Sequence, residues 1–146
     1  MTVAKPETKL LLPFLQPFYD VVSPLSWLII RLVVGIDLSI HGWEKVVRIP
    51  SLVESSLHDG SQPGLLRNLI LVGLEFVGGI CIAVGLFTRF FAAATAIEMA
   101  IITFTVFWPK GYHAYEYTLW WGLVLFAIAL RGGGPYSLDQ RLGREL

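Results

Sequence analysis

The chain has 146 residues, the length of one domain, and its composition already indicates its class. Hydrophobic residues make up 55% of it and charged residues 15%, whereas ordinary soluble domains carry about 25% charged residues. This composition excludes intrinsic disorder, and it leaves too few polar groups to cover a small soluble protein. Eleven basic and eleven acidic residues give no basic excess for binding nucleic acid, and one cysteine excludes an internal disulfide. These exclusions favour an integral membrane protein.

Four apolar stretches are long enough to cross a bilayer, for which about 20 residues suffice. Because lipid offers no hydrogen-bond partners to the backbone, we expect each stretch to form a helix. The sequence therefore predicts an all-α fold, a single four-helix transmembrane bundle over residues 1–146, with the lipid bilayer as its surroundings. The predicted spans are residues 24–47, 65–87, 90–108 and 113–130.

The segments between the predicted spans carry residues that end helices. Residues 48–64 form a polar loop, and residues 109–111 read Pro-Lys-Gly, a turn sequence. The glycine run at residues 131–135 cannot continue the fourth helix, and the serine that follows predicts a capped surface helix over residues 137–142. At the other end, the short apolar segment 10–19 contains two prolines, which favours an interfacial segment leading into the first span.

The distribution of basic residues predicts the orientation of the spans. With four spans, both termini lie on the same side of the membrane. That side carries six lysine and arginine residues, and the opposite side carries four. The excess predicts that both termini face the cytoplasm.

Four short segments within residues 25–140 combine small residues with a few charges, and in combination they resemble the DoxX family. The members of this family are small four-helix membrane proteins of bacteria and archaea. The resemblance therefore implies a prokaryotic cytoplasmic membrane, and it matches family positions to Arg31, Lys45, Glu75 and a closing Ser-Leu-Asp. The segments are Arg31…Gly35…Gly42-Trp-Glu-Lys45, Leu74-Glu-Phe-Val-Gly-Gly79, Val84-Gly-Leu-Phe-Thr-Arg89 and Gly132-Gly-Gly-Pro-Tyr-Ser-Leu-Asp139.

Some members of the family are related to the DoxD subunit of thiosulfate:quinone oxidoreductase, and others accompany redox enzymes. The resemblance thus implies the membrane subunit of a quinone-linked oxidoreductase in sulfur, thiol or respiratory redox metabolism, with a quinone as cofactor. Such a subunit needs a redox partner, so we expect other subunits of a membrane complex or a homo-oligomer. The alternative is a non-catalytic anchor or scaffold subunit. A small transporter is less favoured, because the sequence lacks a matching pair of interrupted helices.

Three acidic residues are predicted near the middle of the bilayer, where ionisable groups are costly and often functional. Asp37, Glu75 and Glu98 each lie ten residues from the non-cytoplasmic end of their span, a depth of about 15 Å. Arg31 is the predicted counter-ion. Because one arginine cannot neutralise three carboxylates, we expect at least one of them to be protonated at neutral pH.

A stripe of polar residues leads from this level to the membrane surface. Asp37, His41 and Glu44 follow one another at helical spacing on the first span. Two interpretations remain open: a path for protons to a buried redox site, or hydrogen bonds that fix the bundle. For a quinone site, the predicted catalytic residues are Asp37, His41 and Glu75, and the predicted binding residues are Arg31, Trp43, Glu98, Trp120 and Trp121.

A metal centre is not predicted. The four helices each carry a glutamate, as in di-metal carboxylate bundles. Glu44 and Glu116 lie at a depth of about 5 Å, however, whereas Glu75 and Glu98 lie at about 15 Å. One metal ion cannot reach both levels. A haem is also disfavoured, because His41 is the single candidate axial ligand inside the bundle.

Overall fold

The computed structural model describes residues 11–51, 53–54 and 62–143. Within these ranges the regular elements are all helical, which confirms the all-α class. A short 3₁₀ turn at Pro13–Leu15 leads directly into the first helix. The helices are α1 (Gln16–Val47), α2 (Gln62–Val84), α3 (Thr88–Ile102), α4 (Tyr112–Arg131) and α5 (Leu138–Leu142).

The first helix is longer than the predicted span. It passes through Pro24, which costs one backbone hydrogen bond but does not end the helix. The predicted start at residue 24 is therefore wrong, and residues 16–19 of the apolar segment belong to α1. The second helix ends at Val84 instead of residue 87, because Gly85 (φ +78°) and Phe87 (φ +48°) adopt left-handed conformations.

Two further boundaries differ in detail from the prediction. In the predicted polar loop, residues 49–51 and 53–54 are helical, and residues 55–61 lie outside the described residues. The third helix changes geometry near its end, with a π-helical turn at Thr103–Phe107 and a 3₁₀ turn at Trp108–Lys110. The predicted surface helix is confirmed, and the Ser137 hydroxyl caps it by accepting from the Gln140 N–H at 3.1 Å.

Three helical stretches in the described part of the chain are long and apolar enough to cross a membrane: Pro13–Val47, Gly64–Val84 and Thr88–Lys110. The fourth long helix, α4, has a spanning length but falls outside this set. Tyrosine, histidine and glutamate residues in its first two turns lower its hydropathy. The apolar helices thus support the predicted membrane protein.

The helices pack as two pairs, α1 along α2 and α3 along α4, while α1 and α4 barely touch. Small residues bring α1 and α2 together. A Cβ atom on Gly35 would lie 2.5 Å from the Ala83 nitrogen and 2.6 Å from the Gly79 carbonyl oxygen. This is the close backbone approach that small residues permit between membrane helices. The core consists of Trp27, Val34, Leu38, Ile82, Ala92, Ala96, Met99, Leu125 and Ile128.

Candidate functional site

The seam between α1 and α4 contains a cavity of about 380 Å³. It exists because these two helices are kept apart, so that α2 and α3 form its back wall. Its wall is mostly apolar, and its polar groups are gathered in two clusters. The apolar lining is Leu38, Met99, Ile102, Phe107, Trp121 and Leu125, and the polar lining is Asp37, His41, Lys45, Glu75, Tyr117 and Thr118.

An ion pair lies on the wall of the cavity. The Lys45 ammonium donates to Glu75 Oε1 at 2.5 Å. The Glu75 side chain is 3% exposed, whereas that of Lys45 is 43% exposed. Side chains on a helix lean toward its N-terminus. Because α1 and α2 run antiparallel, Lys45 leans inward along α1 and Glu75 leans outward along α2, and the two groups meet.

A second buried carboxylate accompanies this pair. Glu98 on α3 is 4% exposed and lies close enough to Glu75 and Lys45 to interact with both electrostatically. Both Glu98 oxygens and Glu75 Oε2 lack a hydrogen-bond partner among the described residues. We refer to Lys45, Glu75 and Glu98 as the buried triad. It contains two acidic groups and one basic group.

A hydrogen-bonded bridge crosses the seam at the side of the cavity. The Tyr117 hydroxyl on α4 donates to Asp37 Oδ2 on α1 at 3.2 Å. His41 Nε2 lies 3.1 Å from the same hydroxyl and 3.8 Å from Asp37 Oδ2. The Asp37 and His41 side chains are 39% and 50% exposed in the protein. This bridge of Asp37, His41 and Tyr117 is therefore the accessible polar cluster, whereas in the buried triad both carboxylates are enclosed and only the Lys45 side chain is partly exposed.

The structure brings most of the predicted site residues together. Asp37, His41, Glu75 and Trp121 line one cavity, and Glu98 lies behind Glu75. Asp37 is not level with Glu75, however. The α1 residue that packs against the Glu75 backbone is Gly42, which places Asp37 about 7 Å deeper along the helix.

Two of the predicted wall residues lie elsewhere. Trp43 is 54% exposed and packs against Phe76 on the outer face of α1 and α2, with ring centroids 5.6 Å apart. Trp120 is 60% exposed and does not line the cavity. Its neighbour Trp121 does, because consecutive residues on a helix point in directions about 100° apart.

The predicted pairing of Arg31 with the buried acids is wrong. Arg31 is 1% exposed, and its guanidinium donates to the carbonyl oxygens of Gly133 and Tyr136 instead. The packing register explains the difference. Glu75 lies beside Gly42, eleven residues or about 16 Å along α1 from Arg31. Lys45 takes the place of the expected counter-ion.

The end of the bundle near Arg31 is a second polar centre with a structural role. The buried Asp139 carboxylate accepts from the Phe87 N–H at 2.8 Å, the Thr88 N–H at 2.9 Å and the Thr88 hydroxyl at 2.8 Å. It thereby caps the N-terminus of α3, where a negative charge is stabilised. The Trp27 indole donates to the Gly132 carbonyl at 3.1 Å. These contacts fix the glycine-rich segment after α4.

Two residues of the site, Lys45 and Tyr117, were not among the predicted site residues, although the family resemblance had matched Lys45 to a family position. A signal for Lys45 existed, since it follows Asp37 and His41 at steps of four residues on one face of α1. Tyr117 gave no signal that separated it from the other aromatic residues of α4. The π-helical turn at Thr103–Phe107 was also missed, and it contributes Phe107 to the cavity wall. Such turns recur at functional sites.

The fold and the cavity define a small helical membrane protein with two polar clusters on the wall of a largely apolar cavity. The sequence model of the DoxX family matches residues 26–108, which is more than half of the chain. The chain therefore belongs to the DoxX family. No curated protein and no solved structure gives a match to it.

Proposed function

We propose that this protein is the membrane subunit of a quinone-linked oxidoreductase and that the cavity between α1 and α4 binds the quinone head group. The observation that carries the proposal is the combination of a mostly apolar cavity with hydrogen-bonding groups at two places on its wall. Its volume of about 380 Å³ falls within the ~300–1,000 Å³ of small-molecule sites. Phe107 and Trp121 offer flat apolar walls to a ring.

The arrangement of donors suits a molecule with two carbonyl groups. Lys45 carries three N–H donors, one of which binds Glu75. The Asp37–His41–Tyr117 bridge provides a second polar contact across the seam. A ligand that spans the two clusters places its apolar parts against Met99 and Leu125. The open seam also suits entry from the side, out of the bilayer.

Reduction of a quinone to a quinol takes two electrons and two protons. In the proposed complex the electrons come from a partner redox protein, and this chain handles the protons. Lys45 donates a hydrogen bond to one carbonyl oxygen and orients it, while Glu75 holds the ammonium in place and Glu98 lies behind Glu75 as a further carboxyl group. Asp37, His41 and Tyr117 connect the cavity to the surface of the bundle, because their side chains line it and are partly exposed.

In this proposal all four long helices cross the prokaryotic cytoplasmic membrane, with both termini in the cytoplasm. The polar and aromatic first turns of α4 then lie at the opposite interface, where tyrosine and tryptophan residues are favoured. The basic residues follow the expected bias, with six on the terminal side and four on the other.

Direct binding tests the proposal. Purified protein in detergent is titrated with a short-chain quinone, and quenching of tryptophan fluorescence is measured. We expect saturable binding that weakens about tenfold or more in Lys45→Met, since a charge-assisted hydrogen bond contributes about 1.5–3 kcal/mol. Tyr117→Phe removes the bridging hydroxyl and keeps the ring, so it should weaken binding less.

Glu44→Gln is the matched control, because Glu44 is exposed, neighbours Lys45 and does not line the cavity. Trp121→Leu provides a second cavity variant if Lys45→Met folds poorly, and it should reduce both affinity and quenching. Binding of equal strength in wild type and in folded cavity variants would contradict the proposed site. Absence of saturable binding, with normal activity of a reconstituted partner complex, would favour the non-catalytic anchor.

A further inference from the structure

We propose that Glu98 is protonated at neutral pH and donates its proton to Glu75 Oε2, so that the buried triad stores one proton. The inference deepens the proposed function by naming the group that holds a proton beside the quinone site. The contacts on which the inference rests do not require a bound quinone. It rests on the burial of the two carboxyl groups and on the contacts of their four oxygen atoms.

The first step is the contact pattern of those oxygens. Glu75 Oε1 accepts from the Lys45 ammonium, while Glu75 Oε2 and both Glu98 oxygens lack a partner among the described residues. Glu98 nevertheless lies beside Glu75. Two ionised carboxylates contain acceptors only, so they cannot bond to each other. One added proton turns this unfavourable contact into an O–H···O bond.

The second step is the charge balance. The charged groups that interact with Glu98 are Lys45 from α1 and Glu75 from α2, and the other ionisable groups on the cavity wall are those of the bridge. With both carboxylates ionised, two enclosed negative charges would share the partly exposed Lys45 ammonium, and the triad would carry a net charge of −1. A buried net charge is strongly unfavourable, whereas one proton makes the triad neutral.

The third step assigns the proton to one residue. Glu75 is held by the Lys45 ammonium at 2.5 Å, and a close positive charge stabilises the ionised form. Glu98 has no such direct contact and is enclosed at 4% exposure. The carboxylate is therefore Glu75 and the carboxylic acid is Glu98. Loss of the proton from Glu98 would leave a negative charge next to Glu75, so Glu98 keeps its proton in the resting protein.

Infrared spectroscopy tests the assignment in the absence of any quinone. The full-length protein is labelled with ¹³C at the glutamate side-chain carboxyl and measured at neutral pH in a detergent without carbonyl groups. We expect one protonated carboxylic acid per chain, seen as a C=O stretching band that shifts with the label. Glu98→Gln should abolish this band, and Glu44→Gln, which changes an exposed carboxylate, should leave it unchanged.

Stability supplies an independent readout. A glutamine at position 98 can donate its amide N–H to Glu75 as the acid does, so Glu98→Gln should melt within a few degrees of wild type. Glu98→Ala removes the donor and should melt clearly lower. Absence of a protonated glutamate in wild type, or a band that survives in folded Glu98→Gln, would overturn the assignment. Neither result depends on quinone binding, so these experiments can contradict the proton assignment without contradicting the proposed function.

Discussion

The two basic residues Arg31 and Lys45 carry the same charge but make different contacts. Lys45 meets a carboxylate inside the bundle, whereas Arg31 binds backbone carbonyl groups at its end. The difference matches their chemistry. A planar guanidinium can bridge several carbonyl oxygens, and a lysine on a flexible stem can reach a single buried acid.

Asp139 provides a prediction at the residue scale. Asp139→Ala should lower the free energy of unfolding by about 1–3 kcal/mol, because it leaves two backbone N–H groups and the Thr88 hydroxyl unsatisfied. Thermal unfolding in detergent, followed by circular dichroism, measures the change. Asp20→Ala is the control, since the exposed Asp20 accepts a bond from Gln16 within one helix. Equal losses in both variants would show that Asp139 is not a cap.

The candidate site could be predicted from the sequence only in part, and the residues show why. Glu75 and Glu98 were recognisable because ionisable groups within long apolar stretches are rare and costly. Their partner was not, because the choice between Arg31 and Lys45 depends on how α1 and α2 align. Likewise, the choice among Trp43, Trp120 and Trp121 depends on the rotation of each helix. Composition and residue spacing determine neither the alignment of α1 with α2 nor the rotation of a helix about its axis.

At the scale of elements, helix type was predicted well and helix ends less well. Apolar runs of spanning length predict helices because lipid leaves the backbone no other hydrogen-bond partners. The ends depend on single residues. Pro24 was expected to begin a helix and lies within one, and the left-handed Phe87 ends the turn that precedes α3. The residue preferences used to place helix ends predict neither a proline inside α1 nor a left-handed phenylalanine before α3.

The contact between α1 and α2 gives a prediction at the same scale. Gly35→Ala should destabilise the protein by about 1–3 kcal/mol, because its Cβ would collide with backbone atoms of Gly79 and Ala83 and force the helices apart. Gly73→Ala is the matched control in α2, where an added Cβ meets no atom within 4 Å. Since alanine favours helices, Gly73→Ala should be neutral or stabilising. Similar melting temperatures for the two variants would contradict this packing.

For the whole molecule, the orientation in the membrane is testable with single cysteines. In a Cys81→Ala background, Ser51→Cys lies at the end opposite the termini and Gln140→Cys lies near the C-terminus; both positions are exposed. An impermeant thiol reagent should label Ser51→Cys in intact cells or spheroplasts, and Gln140→Cys only after lysis. The reverse pattern would place both termini outside, contrary to the basic-residue bias.

The whole molecule also divides into two helical hairpins, α1 with α2 and α3 with α4. The short turn from Gly85 to Phe87 joins them, and Asp139 ties that turn to the C-terminal segment. Between α1 and α4, the Asp37–His41–Tyr117 bridge makes polar contacts beside the cavity. Trp27 and Arg31 hold α1 to the segment after α4 at the end of the bundle. The seam is thus held at that end and only lightly beside the cavity, and in the proposed function this is where a ligand enters from the bilayer.

The location of the Lys45–Glu75 ion pair within a single hairpin has a consequence for biogenesis. The ribosome delivers α1 and α2 before α3, so both partners of the pair are available while the later helices are still being synthesised. The first hairpin can therefore bring Lys45 and Glu75 into the lipid as a neutral pair. Glu98 follows on α3, and in the protonation state proposed above it adds no net charge to this pair. Arg31 differs, because its partners Gly133 and Tyr136 come after α4, so the first hairpin completes its polar contacts only when the last long helix has been made.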